Sequence, residues 1–172
     1  TTFALTVFAD LTVAVEIGMI LAALLYIRRV SNTTTVARVT QDYVDEGHVH
    51  TLQGKDIPDD VTIFRIHGPF LFGSTEQLAA AMDSVDTLTR VVIFRLRNMT
   101  AIDATGLRAL QDAVERLHRD GRTVIVCGAR DQPRAVMQQA GFIDDLGAEN
   151  VCANIDEALA RAKRSREFPA AV

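Results

Sequence analysis

The sequence predicts an α/β protein: a mixed sheet of about four to five strands with about four helices, preceded by one transmembrane helix. Three observations carry this prediction. From Val91 onward, short runs rich in β-branched residues alternate with helix-period stretches across short connections, the pattern of parallel crossovers. Ahead of them, two short apolar runs flank Gly68-Pro69, a hairpin that would make the sheet mixed. At the start, the only charged side chains from Thr1 to Ile27 are Asp10 and Glu16, and every lysine and arginine lies at or beyond Arg28.

The 172 residues include two cysteines, four prolines and no tryptophan, with 18 basic against 22 acidic side chains and a formal charge of −4. That length allows one ordinary domain with something appended, at ~100–200 residues per domain. A chain 48% hydrophobic and 23% charged is folded rather than disordered. Two cysteines cannot staple a secreted mini-protein. The mildly acidic total gives no reason to expect nucleic acid as a partner. The first residue is Thr, not Met, so the start is taken as artificial: processed, cloned or truncated.

Phe3 to Ile27 reads FALTVFADLTVAVEIGMILAALLYI and is followed at once by Arg28 and Arg29. A membrane-spanning helix needs ~20 mainly apolar residues, and this stretch is long enough. A secretory signal would place basic residues before the apolar core; here they follow it. Arg28 and Arg29 put the C-terminal side in the cytoplasm. An acid at mid-bilayer depth costs at least ~2.5 kcal/mol, so Asp10 and Glu16 need a reason. Two readings stand. In one, Asp10 sits near the interface and only Glu16 is deep. In the other, the helix is one wall of a multi-helix bundle with both acids turned inward.

Val30 to roughly Asp60 is polar and reads as a tether with an irregular opening strand. His48 and His50 share the spacing of one strand face, but no Cys or third His stands near to complete a metal site. Val61 to Ile66 (VTIFRI) is a strand, Gly68-Pro69 a turn, and Phe70-Leu71-Phe72 a short second strand. Ser74 and Gln77 form a capping-box pattern for a helix near Thr75 to Val85, with Leu78, Ala81, Met82 and Val85 on one face. Val91 to Leu96 (VVIFRL) is the most apolar strand, which Arg97 to Thr100 leave. Asp103 to His118 is the second helix, its buried stripe being Leu107, Leu110, Val114 and Leu117. Gly121 ends it, and Thr123 to Cys127 is a third core strand. Pro133 opens a helix that Gly141 stops. Val151-Cys152 is a short last strand, and Asn154 caps a final helix through Ala162, before a basic tail.

The run from Asn98 to Leu107 joins the end of a strand to the start of a helix. Asp103 can cap that helix, Gly106 keeps its first turn open, and the Thr105 hydroxyl sits where a phosphate would meet the positive end of the helix dipole. Three readings remain for Asp103, Thr105 and Gly106: a plain helix start, a phospho-acceptor or anion-binding loop, and a partner-docking surface. A phosphate on Thr105 would feel like-charge repulsion from Asp103. Cys127 and Cys152 read as ordinary buried thiols, His67 and His118 stand alone, and the ARAKRSR cluster reads as a solvated helix end. No Ser-His-Asp elbow, P-loop or zinc spacing appears, so neither catalysis, metal nor cofactor is expected.

The run VVIFRLRNMTAIDATGLRAL resembles the signature of STAS domains, the fold named from sulfate transporters and anti-sigma-factor antagonists. The resemblance extends from about Val61 to Ala162, including GPFLFGS and PRAVMQQAGF. The preceding FADLTVAVEIGMILAALLYIRR is similar to the last membrane helix of SulP-family anion transporters, which a STAS domain follows directly. The resemblance implies a transmembrane helix over residues 3–29, a linker and entry strand over 30–60, a STAS domain over 61–165 and a tail over 166–172. It also implies the C-terminal portion of a secondary active sulfate or anion transporter, unable to transport alone because most membrane helices are missing. Its partners would be the rest of the membrane domain, the lipid bilayer, and a second STAS domain or a regulatory protein. It would sit in the cell membrane with the C-terminal domain cytoplasmic, serving regulation, assembly or trafficking.

In free-standing antagonists the hydroxyl residue just before this glycine is phosphorylated. Thr105 is the matching position, although serine is the usual residue there. The alternatives are therefore a membrane-tethered signalling protein switched at Thr105, and a nucleotide-binding sensor built around Asp103.

Overall fold

The computed structural model describes residues 11–31, 35–39, 57–71, 75–85 and 87–167. In chain order these form helix α1 (Leu11–Ser31), strands β1 (Thr35–Val39) and β2 (Val61–Phe70), α2 (Thr75–Asp83), β3 (Val91–Ile102) and α3 (Ala104–Arg119). Then come β4 (Thr123–Cys127), α4 (Asp131–Gln139), α5 (Phe142–Leu146), a 3-10 turn at Ala148–Asn150, β5 (Val151–Cys152) and α6 (Ile155–Glu167).

The strands make one sheet in the order β1-β2-β3-β4-β5. β2 to β5 are mutually parallel, and β1 lies antiparallel along β2. The sheet is mixed as predicted, but through β1 and not through a hairpin. No turn forms at Gly68-Pro69, because β2 continues to Phe70 and pairs with a β3 that continues to Ile102. Gly68 takes φ 86, and the β2–β3 register shifts at Arg65/His67 and at Gly68/Pro69. Each shift fits an extra β3 residue, and a bulge is where a sheet tolerates a proline that has no N–H to give. The expected strand exit at Arg97 to Thr100 is thus the second half of β3.

Parallel crossovers that step steadily in one direction lie on one face of a sheet. Accordingly α2 to α5 bury Leu78, Met82, Leu107, Leu110, Leu117, Met137, Phe142 and Leu146 against Phe64, Ile66, Val92, Phe94, Leu96, Val124 and Val126. Phe64 and Phe94, adjacent on β2 and β3, stack with ring centroids 5.9 Å apart. The opposite face carries Val61, Ile63, Val91, Ile93, Ile125 and Cys127, and α6 covers it with Ile155, Ala158, Leu159 and Ala162. Burial on both faces explains why VVIF and VIVC are continuous apolar runs without alternation, and why the one hydroxyl in VTIF, on Thr62, is buried in a hydrogen bond with Thr89.

Helix ends moved where local chemistry outran the period. α2 stops at Asp83, short of Val85, and Ser84 turns the chain by donating its hydroxyl to the Ala81 carbonyl at 2.6 Å. The expected capping residue Ser74 lies outside the described residues. Pro133 sits within the first turn of α4 rather than at its first residue. Beyond Gly141 a further short helix, α5, inserts Phe142 and Leu146 into the core. α6 runs to Glu167, past Ala162, its first turn bridged by Asn154, whose Oδ1 accepts from the Glu157 amide at 3.0 Å.

The long apolar helix expected over residues 3–29 corresponds to α1. Among the described residues, no helix is long and apolar enough to cross a membrane. The apolar part of α1, Leu11 to Ile27, rises about 25 Å, short of a ~30 Å hydrocarbon core. Residues before Leu11, Asp10 included, lie outside the described residues.

Candidate functional site

β3 delivers the chain to the end of the sheet at Ile102, and α3 begins two residues on. Asp103 between them has extended backbone, φ −103 and ψ 179, and its Oδ1 accepts from the Gly106 amide at 2.7 Å. The Asp103 carbonyl accepts from Leu107 at 2.9 Å, closing the first helical turn. This arrangement satisfies an amide at the helix start and places a negative charge at the positive end of the dipole.

Ile102 is held from the other side by α4. The Gln132 side chain accepts from the Ile102 amide and donates to the Ile102 carbonyl, both at 2.9 Å. One primary amide, with a donor and an acceptor side by side, can pair with both backbone groups of one residue. The strand end is therefore bound to two helices, α3 through Asp103 and α4 through Gln132.

The sequence-predicted residues come together in one turn but face different ways. Thr105 is exposed at the start of α3 and Asp103 is half-buried. Gly106 is buried beneath the end of β2, where a Cβ would overlap the Phe70 carbonyl oxygen and lie 2.9 Å from the Phe70 ring. Gly106 thus lets α3 approach the sheet closely, a different need from an open first turn. Chemically the turn offers an accessible hydroxyl at Thr105 beside a carboxylate, and that carboxylate already occupies the helix-end amide of Gly106. Glu16 is exposed on α1. His48 and His50 lie outside the described residues.

A second region forms beside the middle of β3 and the C-terminal end of β4, on the face that α6 covers. A cavity of about 350 Å³ there is lined by Arg95, Arg97, Cys127, Arg130 and the start of α6. Arg65, Arg95, Cys127 and Cys152 fall in one row across β2, β3, β4 and β5. Burial lowers the Arg95 pKa, opposed by Cys127 and reinforced by the Arg97 and Arg65 charges. Burial pushes the Cys127 thiol up to about 12, against the pull of Arg95, so at neutral pH it is uncharged. The Cys152 thiol is raised by burial and by Glu157, against Arg161 and Arg164.

Sequence reasoning passed over these arginines. The signal was the repeated Ile-Phe-Arg, at Ile63-Phe64-Arg65 and Ile93-Phe94-Arg95, which parallel pairing brings into register.

Comparison with known proteins agrees with this architecture. The family model of the STAS domain matches residues 55–158. A putative sulfate transporter of Bacillus subtilis is 26% identical over 157 residues, covering 91% of this chain and 28% of that protein. The chain therefore spans little more than a quarter of the length of that curated relative. The crystal structure of a sulfate transporter family protein from Wolinella succinogenes is 36% identical, with a TM-score of 0.64, covering 69% of this chain and 97% of that one. The SulP transporter STAS domain of Vibrio cholerae is 26% identical, with a TM-score of 0.57, covering 65% of this chain and 88% of that one.

Proposed function

The chain belongs to the STAS domain family, and from that premise we propose that it is the C-terminal portion of a SulP-type secondary active anion transporter. α1 belongs to the last membrane helix, and the domain built on β1 to β5 lies on the cytoplasmic side. The observation that carries the reading is the surface of α1. Met19, Ile20, Leu24, Leu25 and Tyr26 on consecutive turns are exposed, Tyr26 by 69%, a run of apolar side chains that water does not favour and lipid or neighbouring helices would cover. Arg28 and Arg29 follow it directly, on the side expected to face the cytoplasm.

On this reading the domain carries no transport path. It serves regulation, assembly or trafficking of the membrane part, and its partners are that membrane part, the bilayer, and a second STAS domain or a regulatory protein. Reading the coding DNA upstream of Thr1 tests the proposal first. An open frame through a dozen or so further apolar segments is expected, with anion uptake by the whole gene product and none by vesicles holding only these 172 residues. A start codon within a few residues of Thr1 would overturn it.

One observation favours a second reading, a membrane-tethered signalling protein: the Thr105 hydroxyl is exposed and open to a kinase. Kinase-dependent phosphorylation of Thr105, with loss of a bound partner protein, would favour that reading over the first.

A further inference from the structure

The geometry points to a binding site for a phosphate-class oxyanion in the arginine-lined cavity beside the middle of β3 and the C-terminal end of β4. The site is distinct from the Asp103–Gly106 turn, and it does not rest on the transporter reading. Arg95, Arg97 and Arg130 line its wall, and Asp156 lines it too, so cationic residues outnumber the anionic one. Arg95 is only 6% exposed and arises from the middle of β3, so its charge is fixed to the most rigid part of the sheet.

Arg97 follows Arg95 on the same strand, and Gly128 shapes its seat. Gly128 has φ +72, and a Cβ there would lie 3.3 Å from the Arg97 Cβ, so the bare glycine leaves room for the Arg97 stem. Its amide donates to the Cys152 carbonyl at 3.1 Å, which ties the loop after β4 to β5. Arg130 comes from the same loop, and α6 presents the positive end of its dipole to the cavity at Ile155 and Asp156.

The crossovers leave this arrangement open. With α2 to α5 all on the other face, α6 is the helix that packs on this face among the described residues, and it starts at the cavity instead of crossing it. Like charges brought to one cavity repel one another, and the neutral Cys127 thiol adds no negative charge there. A tetrahedral oxyanion accepting from two or more planar guanidinium forks removes that repulsion through charge-assisted, bidentate hydrogen bonds. The volume of about 350 Å³ admits one or two phosphoryl groups with their waters. The chemistry is shared by free phosphates and phospholipid headgroups.

Pyrophosphate titrated calorimetrically into the 172-residue chain in neutral detergent tests the site, with phosphatidic acid in neutral nanodiscs as the second arm. Binding weakened about tenfold or more is expected in both Arg97→Gln and Arg130→Gln, since each removes a charge-assisted hydrogen bond. Both side chains are exposed, so the fold tolerates the changes. Arg108→Gln, on the outer face of α3, should bind as the parent does. Binding of pyrophosphate supports a soluble ligand, and binding of phosphatidic acid alone supports a headgroup. No binding in either arm, or an equal loss in Arg108→Gln, would overturn the site.

Discussion

Replacing Gly106 by alanine sets two physical effects against each other, and their balance has a sign. Gly106 lies in the first turn of α3 without a positive φ. Helix propensity alone would therefore make Gly106→Ala stabilising by about 1 kcal/mol. Sterics oppose this. The new Cβ would overlap the Phe70 carbonyl oxygen and stand 2.9 Å from the Phe70 Cδ1 and 3.2 Å from its carbonyl carbon. Phe70 is fully buried and its backbone is paired with Ile102, so neither the ring nor the carbonyl can swing away. Overpacking against such rigid neighbours costs about 3 kcal/mol, the upper end of the usual range. The net expectation is a loss of roughly 2 kcal/mol.

The chain has no tryptophan, so far-UV circular dichroism in urea, in a constant mild detergent, is the assay. With a slope of about 1.5 kcal/mol per molar, the midpoint should fall by roughly 1 M or slightly more. A midpoint unchanged or raised would mean that α3 does not sit as close to β2 as described, and would refute the packing role of Gly106.

Three further outcomes are expected. Asp103→Ala should cost about 1 kcal/mol by freeing the Gly106 amide, whereas Asp103→Asn should recover most of it; equal losses in the two variants would point to charge rather than capping. Gln132→Ala strips both backbone partners from Ile102, so the Ile102 amide should exchange hydrogen faster while that of Val124 does not, and an unchanged Ile102 rate would contradict the clamp. For Cys127, the thiol ionises near 9.0 in a solvated chain and at about 12 in the fold. Between those values the unfolded state has lost a proton that the folded state keeps, so stability present below pH 9 should fall as pH rises toward 12. Cys127→Ala should flatten that alkaline decline whatever its baseline stability, and a parallel decline in parent and variant would exclude the thiol as its source.

Much of the sheet was legible because both of its faces are buried. Val91 to Leu96 and Thr123 to Cys127 are apolar runs that leave little alternative to core strands, and Leu107, Leu110, Val114 and Leu117 mark the inner face of α3 at helical spacing. The Asp103 cap was legible too, since a cap is a contact between near neighbours in sequence. The second halves of β2 and β3 were not. Gly68-Pro69 is a turn signal by local preference, and only pairing with β3 through two bulges keeps it extended. β1 was legible only as an irregular opening strand somewhere in Val30 to Asp60, because Thr35 to Val39 carries little apolar pattern of its own and is fixed by pairing along the edge of β2.

Sequence by itself determined the kind of elements, the apolar helix ahead of the sheet, and the strand-to-helix turn around Asp103. These depend on periodicity and on hydrogen bonds spanning a few residues. Tertiary structure decided what each residue type is for. Gly106 answers to a carbonyl on β2, Gln132 to a strand end thirty residues away, and Arg95, Arg97 and Arg130 to one another. Long-range packing makes such neighbours, and no local pattern encodes which distant backbone a side chain will meet.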